Sequence, residues 1–294
     1  MQGGCRVRLP AQWRRQRIGG VLLAGLVLFG VCCAPGAQEK PPTGELFRES
    51  FDDPSLFRRG WYDGGKFLLS TANPAGGRSA IEYRWLAGGT TSDTTQTVRR
   101  RFAPTAGVYI AFSIRLSPGW GWTGRDYHPH LIQFMTTENG AYDGPAATHL
   151  TLYVEPQAGR LRLAAQDIQN QNQPHGLTQG PLRGGFNGRF FDSAEVLFRD
   201  DRWHRVEAYF RLNQLDPRTQ QARPDGIVQG WFDGRPVINE RNVVLRSPDF
   251  PRMKVNQMLI APYFGPGLLP KPQTLWLDEL VVGMQRPAAA APAR

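Results

Sequence analysis

The stretch Trp203-His204-Arg205-Val206-Glu207-Ala208-Tyr209-Phe210-Arg211-Leu212-Asn213 decides the fold. Val206, Ala208, Phe210 and Leu212 fall on one side of a two-residue period, and Arg205, Glu207, Tyr209 and Arg211 fall on the other. That period belongs to a strand with one face in a core. The polar side sets a Tyr between two Arg, with a Glu beside them. Such a row suits a sugar, with a ring to stack on and guanidinium forks to hold carboxylates. It equally suits a solvated strand laced by cross-strand ion pairs. His204 lies toward the apolar side and reads as a core histidine with a local partner.

Working outward, the same alternation recurs. Ile110, Phe112, Ile114 and Leu116 against Tyr109, Ser113 and Arg115 predict a strand over 109–116. Leu150, Leu152 and Val154 against His149, Thr151, Tyr153 and Glu155 predict another over 148–155, and 160–166 returns from it through Gln157-Ala158-Gly159. Further strands are expected over 46–51, 79–86, 95–102, 130–136, 227–232, 237–245, 255–264 and 275–282. Asp233-Gly234-Arg235-Pro236 is a strong hairpin signal. The segment 167–202 is long, polar and rich in Gly, Asn and Gln, yet holds Phe186, Phe190 and Phe191; it reads as a lid or groove wall. No long amphipathic helical pattern appears beyond the N-terminus. Many short strands without helices predict an all-β, two-sheet antiparallel jelly-roll sandwich.

The composition fits that fold. The chain has 294 residues, 40% hydrophobic, with Gly 33 and Pro 24, enough for one large turn-rich β domain. The net charge of +10 is inflated by the first 37 residues, which hold five Arg and no acid; the remainder has 30 basic and 25 acidic residues, or +5. A mildly basic surface suits an acidic polymer, and no Lys/Arg-rich run of the nucleic-acid-binding kind is present. Arg14, Arg15 and Arg17 precede an apolar run from Ile18 to Val31, too short for a membrane span, and small residues follow it. Residues 1–37 therefore read as an export signal, which places the protein in the periplasm, at the outer membrane or outside the cell. Cys32 and Cys33 stand where a lipoprotein would carry its acylated Cys, so a lipid anchor is the alternative to free secretion. All three cysteines lie in this leader, which leaves the domain without thiol chemistry or disulfides. The expected organisation is leader 1–37, linker 38–45, one domain over 46–285 and a disordered Ala/Pro-rich tail 286–294.

Several stretches now support a resemblance. Arg202-Trp203-His204-Arg205-Val206-Glu207, Arg211-Leu212-Asn213, Pro224-Asp225-Gly226-Ile227-Val228 and Trp231-Phe232-Asp233-Gly234 resemble the C-terminal half of concanavalin-A-like jelly rolls. With Phe112-Ser113-Ile114-Arg115-Leu116, Pro118-Gly119-Trp120 and Pro262-Tyr263-Phe264-Gly265, the chain is similar to polysaccharide lyase family 14 and its relatives, which cleave alginate or glucuronan. The resemblance implies β-elimination on a uronate. One polar side chain neutralises the carboxylate, a base takes the proton at C5, and an acid protonates the leaving oxygen. Where the family carries a Lys after the Trp loop, this chain reads Arg125-Asp126-Tyr127-His128-Pro129-His130; where it carries a Ser and an Arg, this chain has His149 and Thr151. Other jelly-roll lyases carry a Gln-Ile-His triplet, of which Ile132-Gln133-Phe134 keeps the Gln.

The expected catalytic residues are therefore His149, Tyr209, Gln133 and His130. Arg115, Tyr109, Tyr153, Arg205, Arg211 and Trp120 are expected to bind substrate. His130 and Gln133 point to opposite faces of a regular strand, so both reach one groove only if a bulge intervenes. No cofactor is required for this chemistry. Glu49 and Asp278, on the first and last strands, are candidates for a structural calcium site. A zinc site lacks a third ligand at a familiar spacing, and a retaining glycosidase lacks its E-x-D-x-E strand. The partner is an acidic polysaccharide, cleaved by a lyase or, alternatively, held by a non-catalytic glycan-binding module.

Overall fold

The computed structural model describes residues 44–122, 129–136, 150–166, 188–199, 201–246, 248, 251–264 and 269–288. These form the strands β1 (Glu45–Glu49), β2 (Trp61–Tyr62), β3 (Leu69–Ser70), β4 (Ala80–Trp85), β5 (Val98–Thr105), β6 (Gly107–Leu116), β7 (His130–Thr136) and β8 (Thr151–Gln157). They continue with β9 (Arg160–Gln166), β10 (Gly188–Asp192), β11 (His204–Arg211), β12 (Gly226–Phe232), β13 (Arg235–Val243), β14 (Val255–Tyr263) and β15 (Gln273–Gly283). A single 3₁₀ turn, Leu56–Arg59, is the only helical element among the described residues. None of their helices is long and apolar enough to cross a membrane.

All strand pairs are antiparallel and fall into two sheets. Sheet I runs β13-β12-β11-β6-β15-β4-β3, with β1 added on β15; sheet II runs β10-β9-β8-β7-β14-β5-β2. This is the expected jelly-roll sandwich, with first and last strands paired. Its core takes one side of each alternating pattern. Val206 and Phe210 of β11 and Phe112 of β6 bury with Phe134 of β7, Leu152 of β8 and Leu163 of β9 in one cluster. Gly230 of β12 lets the sheets close there, because an added Cβ would meet Leu161 and Leu163 side chains at 3.2 and 3.3 Å.

Two hairpins set the registers. Ala158 and Gly159 have φ of 48° and 80°, and Asp233 and Gly234 have φ of 49° and 77°. Left-handed pairs of this kind match the twist of the flanking strands, and they close Gln157 onto Arg160 and Phe232 onto Arg235. Asp233 also holds the start of β11: its carboxylate accepts from the Arg205 N–H and contacts His204 Nδ1 at 2.9 Å. His204 is thus a buried, satisfied core histidine.

Candidate functional site

The outward rows of the two sheets differ in what their side chains do. On sheet I, Glu207 is held by two partners. Tyr109 Oη donates to Glu207 Oε2 at 2.7 Å, and Arg286 donates to both its oxygens at 2.8 and 3.0 Å while lying 4.3 Å over the Trp231 ring. Burial pulls the Glu207 carboxyl upward, but Arg286 and Tyr109 outweigh it and hold it below its ordinary value. Arg205 donates to the Glu279 carbonyl at 2.7 Å, Arg211 to the Asp225 carbonyl at 2.8 Å and Arg115 to the Asp201 carbonyl at 2.6 Å. Tyr209 lies opposite Tyr109 on the same face.

The structure therefore corrects the expected convergence. Tyr109, Arg115, Arg205, Tyr209 and Arg211 belong to the outer face of sheet I, with the core between them and the outer face of sheet II. They cannot share a groove with Gln133, His130 and Tyr153 on sheet II. The physical reason is topological: β11 pairs with β6 and β12, so its polar side faces away from β7 and β8. Trp120 is placed apart again. It packs edge-on against Trp85 at 6.3 Å and tilts against Phe264 at 6.1 Å, closing one end of the sandwich. His149, His128 and the segment 167–187 lie outside the described residues.

On sheet II the outward side chains line up across all seven strands. The lateral row runs Tyr62, Arg99, Leu259, Gln133, Tyr153, Ala164, Phe190. Met135 and Leu259 make a small buried apolar floor beside Gln133, with Ala261 packed against it. The Gln133 amide is half-buried over this floor and makes no hydrogen bond among the described residues. Arg99, 4% exposed, donates to the Asp63 carboxylate and reaches Gln257 Oε1 at 3.4 Å.

His130 joins this face through the bulge that it requires. Ile260 pairs with Ile132 but Tyr263 pairs with His130, so β14 spends one residue more than β7 around Pro262. A proline inside a strand is at home in such an irregularity. Leu131 and Ile132 both enter the core, and His130 turns outward. Its Nδ1 lies 2.9 Å from Glu155 Oε2, with both side chains buried. An ionised carboxylate only accepts, so the bond between them is donated by Nδ1–H. The imidazole is sandwiched by rings, with Tyr153 at 4.7 Å and Tyr263 at 5.0 Å between centroids. Burial first, then Glu155 and Tyr263, pushes the Tyr153 phenol far above its ordinary value, so it stays protonated. Glu155 Oε1 is buried without a hydrogen-bond partner. Beyond Tyr263 a cleft of about 550 Å³ opens toward Asp63 and the 91–97 loop.

Glu155 and Arg99 were not singled out from sequence. Glu155 stood in the outward row of its strand, but nothing local ties it to a histidine 25 residues earlier. Tyr263, between Pro262 and Phe264, carried a usable signal in the proline of its strand.

The calcium candidates do not fit a shared ion. Glu49 is held by Arg59 at 2.8 and 2.9 Å, by Trp61 Nε1 at 2.9 Å and by the Phe51 N–H at 2.9 Å. A guanidinium occupies the position a divalent cation would need. Asp278 accepts instead from the N–H groups of Ala75, Gly76 and Glu279, which is an anion cradle. Among the described residues no three His, Cys, Asp or Glu gather as a metal site.

Set against known proteins, the chain matches no protein-family model and no curated protein. Solved structures do match. Alginate lyase vAL-1 from Chlorella virus superposes with a TM-score of 0.57 at 14% identity, over 82% of this chain and 100% of that one. The endo-β-1,4-glucuronan lyase from the fungus Trichoderma reesei gives 0.52 at 19% identity, over 82% and 96%. The marine PL-14 alginate lyase from Aplysia kurodai gives 0.51 at 11% identity, over 76% and 90%. At these identities the likeness is one of fold: the chain is a jelly-roll sandwich of the architecture these polysaccharide lyases share.

Proposed function

We propose that the protein is a polysaccharide lyase that cleaves a uronate-containing polymer by β-elimination on the outer face of sheet II. The observation that carries this reading is the buried His130–Glu155 pair, flanked by two tyrosines and by the Gln133 amide. A base must take the C5 proton, and a carbanion beside a full carboxylate charge is prohibitively high in energy, so the carboxylate has to be neutralised first. Gln133 supplies N–H donors for that purpose over an apolar floor, where each polar contact is strengthened. Glu155 fixes the His130 tautomer and stabilises the imidazolium that forms when Nε2 accepts the proton, the role of the third group in a triad. As the C5–H bond breaks, the C4–C5 double bond forms and the C4–O4 bond breaks. A tyrosine hydroxyl protonates O4, and Tyr263, half-buried in the cleft lining and beside His130, is the candidate for it. The proton left on His130 is then released to solvent and the tyrosinate takes one back from it, which restores both groups. Tyr153, held protonated, serves as a donor to substrate and not as a base.

The Arg-flanked apolar run at 18–31 supports export, which matches a polymeric substrate. The test is to incubate the protein with alginate, glucuronan and hyaluronan and follow the ultraviolet absorbance of the unsaturated product. Product should appear with at least one polymer and vanish in Gln133→Ala and His130→Ala. Tight binding of an acidic glycan without product would overturn the lyase in favour of a glycan-binding module.

A further inference from the structure

The cleft beside Tyr263 has a chemistry different from that of the row it adjoins. Its described lining is Asp63, Gly64, Tyr83, the 91–97 loop through Thr91, Ser92, Thr95, Gln96 and Thr97, and the β14 bulge at Ala261, Pro262 and Tyr263. No Lys or Arg is among these residues. The one carboxylate, Asp63, is already bonded by Arg99. At about 550 Å³ the cleft lies within the usual range for small-ligand sites, roughly 300–1,000 Å³.

Four of its polar groups have bonding capacity to spare. Tyr83 Oη is buried without a hydrogen-bond partner, although the side chain is only 1% exposed. A buried hydroxyl left so costs about 1–3 kcal/mol unless something enters to bond it. Gln96 Oε1 accepts from the Gly65 N–H at 2.7 Å, which fixes the amide and leaves its NH₂ as donor. The Thr91 and Thr97 hydroxyls make no hydrogen bond among the described residues. Hydroxyls and an amide both give and take hydrogen bonds, which is what sugar hydroxyls need, while an anion needs a surplus of donors with positive charge. The Tyr263 ring offers an apolar face for a pyranose. Gly64 keeps the wall tight: its φ is +27°, and an added Cβ would sit 2.4 Å from the Thr97 carbonyl oxygen.

We propose that this cleft is a subsite for a neutral sugar, a hexose or N-acetylhexosamine, and that the natural polymer alternates such a sugar with the uronate bound at Gln133. The inference deepens the lyase reading and takes its orientation from it, because Tyr263 is common to the cleft and the proton-transfer cluster.

The experiment compares two homopolymers, alginate and glucuronan, with an alternating glucuronate/N-acetylglucosamine polymer and an alternating glucuronate/glucose polymer. Product formation and direct binding by calorimetry are both measured. One of the mixed polymers should be processed at least about tenfold better in kcat/KM than either homopolymer. Tyr83→Phe and Gln96→Ala should each raise KM for it about threefold to tenfold, the weight of one hydrogen bond, with little change on homopolymers. Tyr83→Phe removes no bond of the free protein, so its melting temperature should not fall, which separates lost binding from lost folding. Homopolymers cleaved as well as mixed ones, with no response to cleft substitutions, would overturn the subsite and leave the lyase standing. Mixed oligosaccharide bound in a Tyr83- and Gln96-dependent way but never cleaved would uphold the subsite and remove the lyase. Neither binding nor cleavage would overturn both.

Discussion

His130 is the residue on which the proposed chemistry turns. Its Nδ1 is committed to Glu155 at 2.9 Å, so replacing either partner acts through the other. His130→Ala should lower kcat by about 10²–10⁴-fold, the usual contribution of a positioned base. Glu155→Gln keeps the shape of the pair and removes the charge. It should lower kcat by less than His130→Ala and move the pH–rate profile, because the imidazolium loses its counter-charge. Both effects are read from initial rates of unsaturated product. At this scale the sequence was only half legible. Gln133 stands out as a candidate from its strand and neighbours, and sequence ties His130 to its face only on condition of a bulge. The bulge lies on the partner strand at Pro262, some 130 residues away, so no reading of 130–136 alone could place it. The Glu155 partner was hidden for the same reason: alternation fixes which way a side chain points, not what it meets.

Among the elements, β11 shows how far residue vocabulary can mislead. Its strand forms where the alternation predicts, yet in the row that suggested a groove Glu207 is held by Tyr109 and Arg286, and Arg205 and Arg211 are spent on backbone carbonyls. A polar row of that composition is as good for ion pairs on a sheet as for a sugar, and only the pairing order of strands decides between them. Two consequences are measurable. Tyr209→Phe should leave product formation unchanged, since Tyr209 faces away from sheet II. Glu207→Ala should lower stability by about 1–2 kcal/mol through the loss of Arg286 and Tyr109, toward the low end because Arg286 is partly solvent-screened. A denaturant midpoint gives that value. The Glu207 carboxyl lies below its ordinary value in the folded protein, so its contribution is present above about pH 4.3 and is lost as pH falls through the folded value. The Asp233-Gly234 hairpin, by contrast, was plain in the sequence. Asp233→Ala should cost about 1–2 kcal/mol by releasing the Arg205 N–H and His204 together.

For the molecule as a whole, the two-sheet jelly roll followed from short alternating strands and turn residues, and twelve of the fifteen described strands fall within a few residues of the expected spans. β2 and β3 were not expected, and β10 forms an edge strand inside the segment 167–202 expected to be a lid or groove wall. What alternation could not supply was the distribution of strands between sheets, which depends on partners far apart in the chain. Burial of phenols gives the whole domain an alkaline limit. Tyr83, Tyr109, Tyr153 and Tyr209, four of the eight tyrosines, are pushed above their ordinary value chiefly by desolvation. The unfolded chain releases these protons first, so stability held below about pH 10 should decline as pH rises beyond it. Spectrophotometric titration should show those four ionising at higher pH in the folded protein than in the unfolded chain.

The placement of the active face is decided by a single paired assay: the rate of unsaturated-product formation on a uronate polymer by His130→Ala and by Tyr209→Phe, both folded by circular dichroism. Loss of product in the first with the second near wild type is the expected result. Full activity in His130→Ala, or its collapse in Tyr209→Phe, would move the chemistry off sheet II and contradict the site described above.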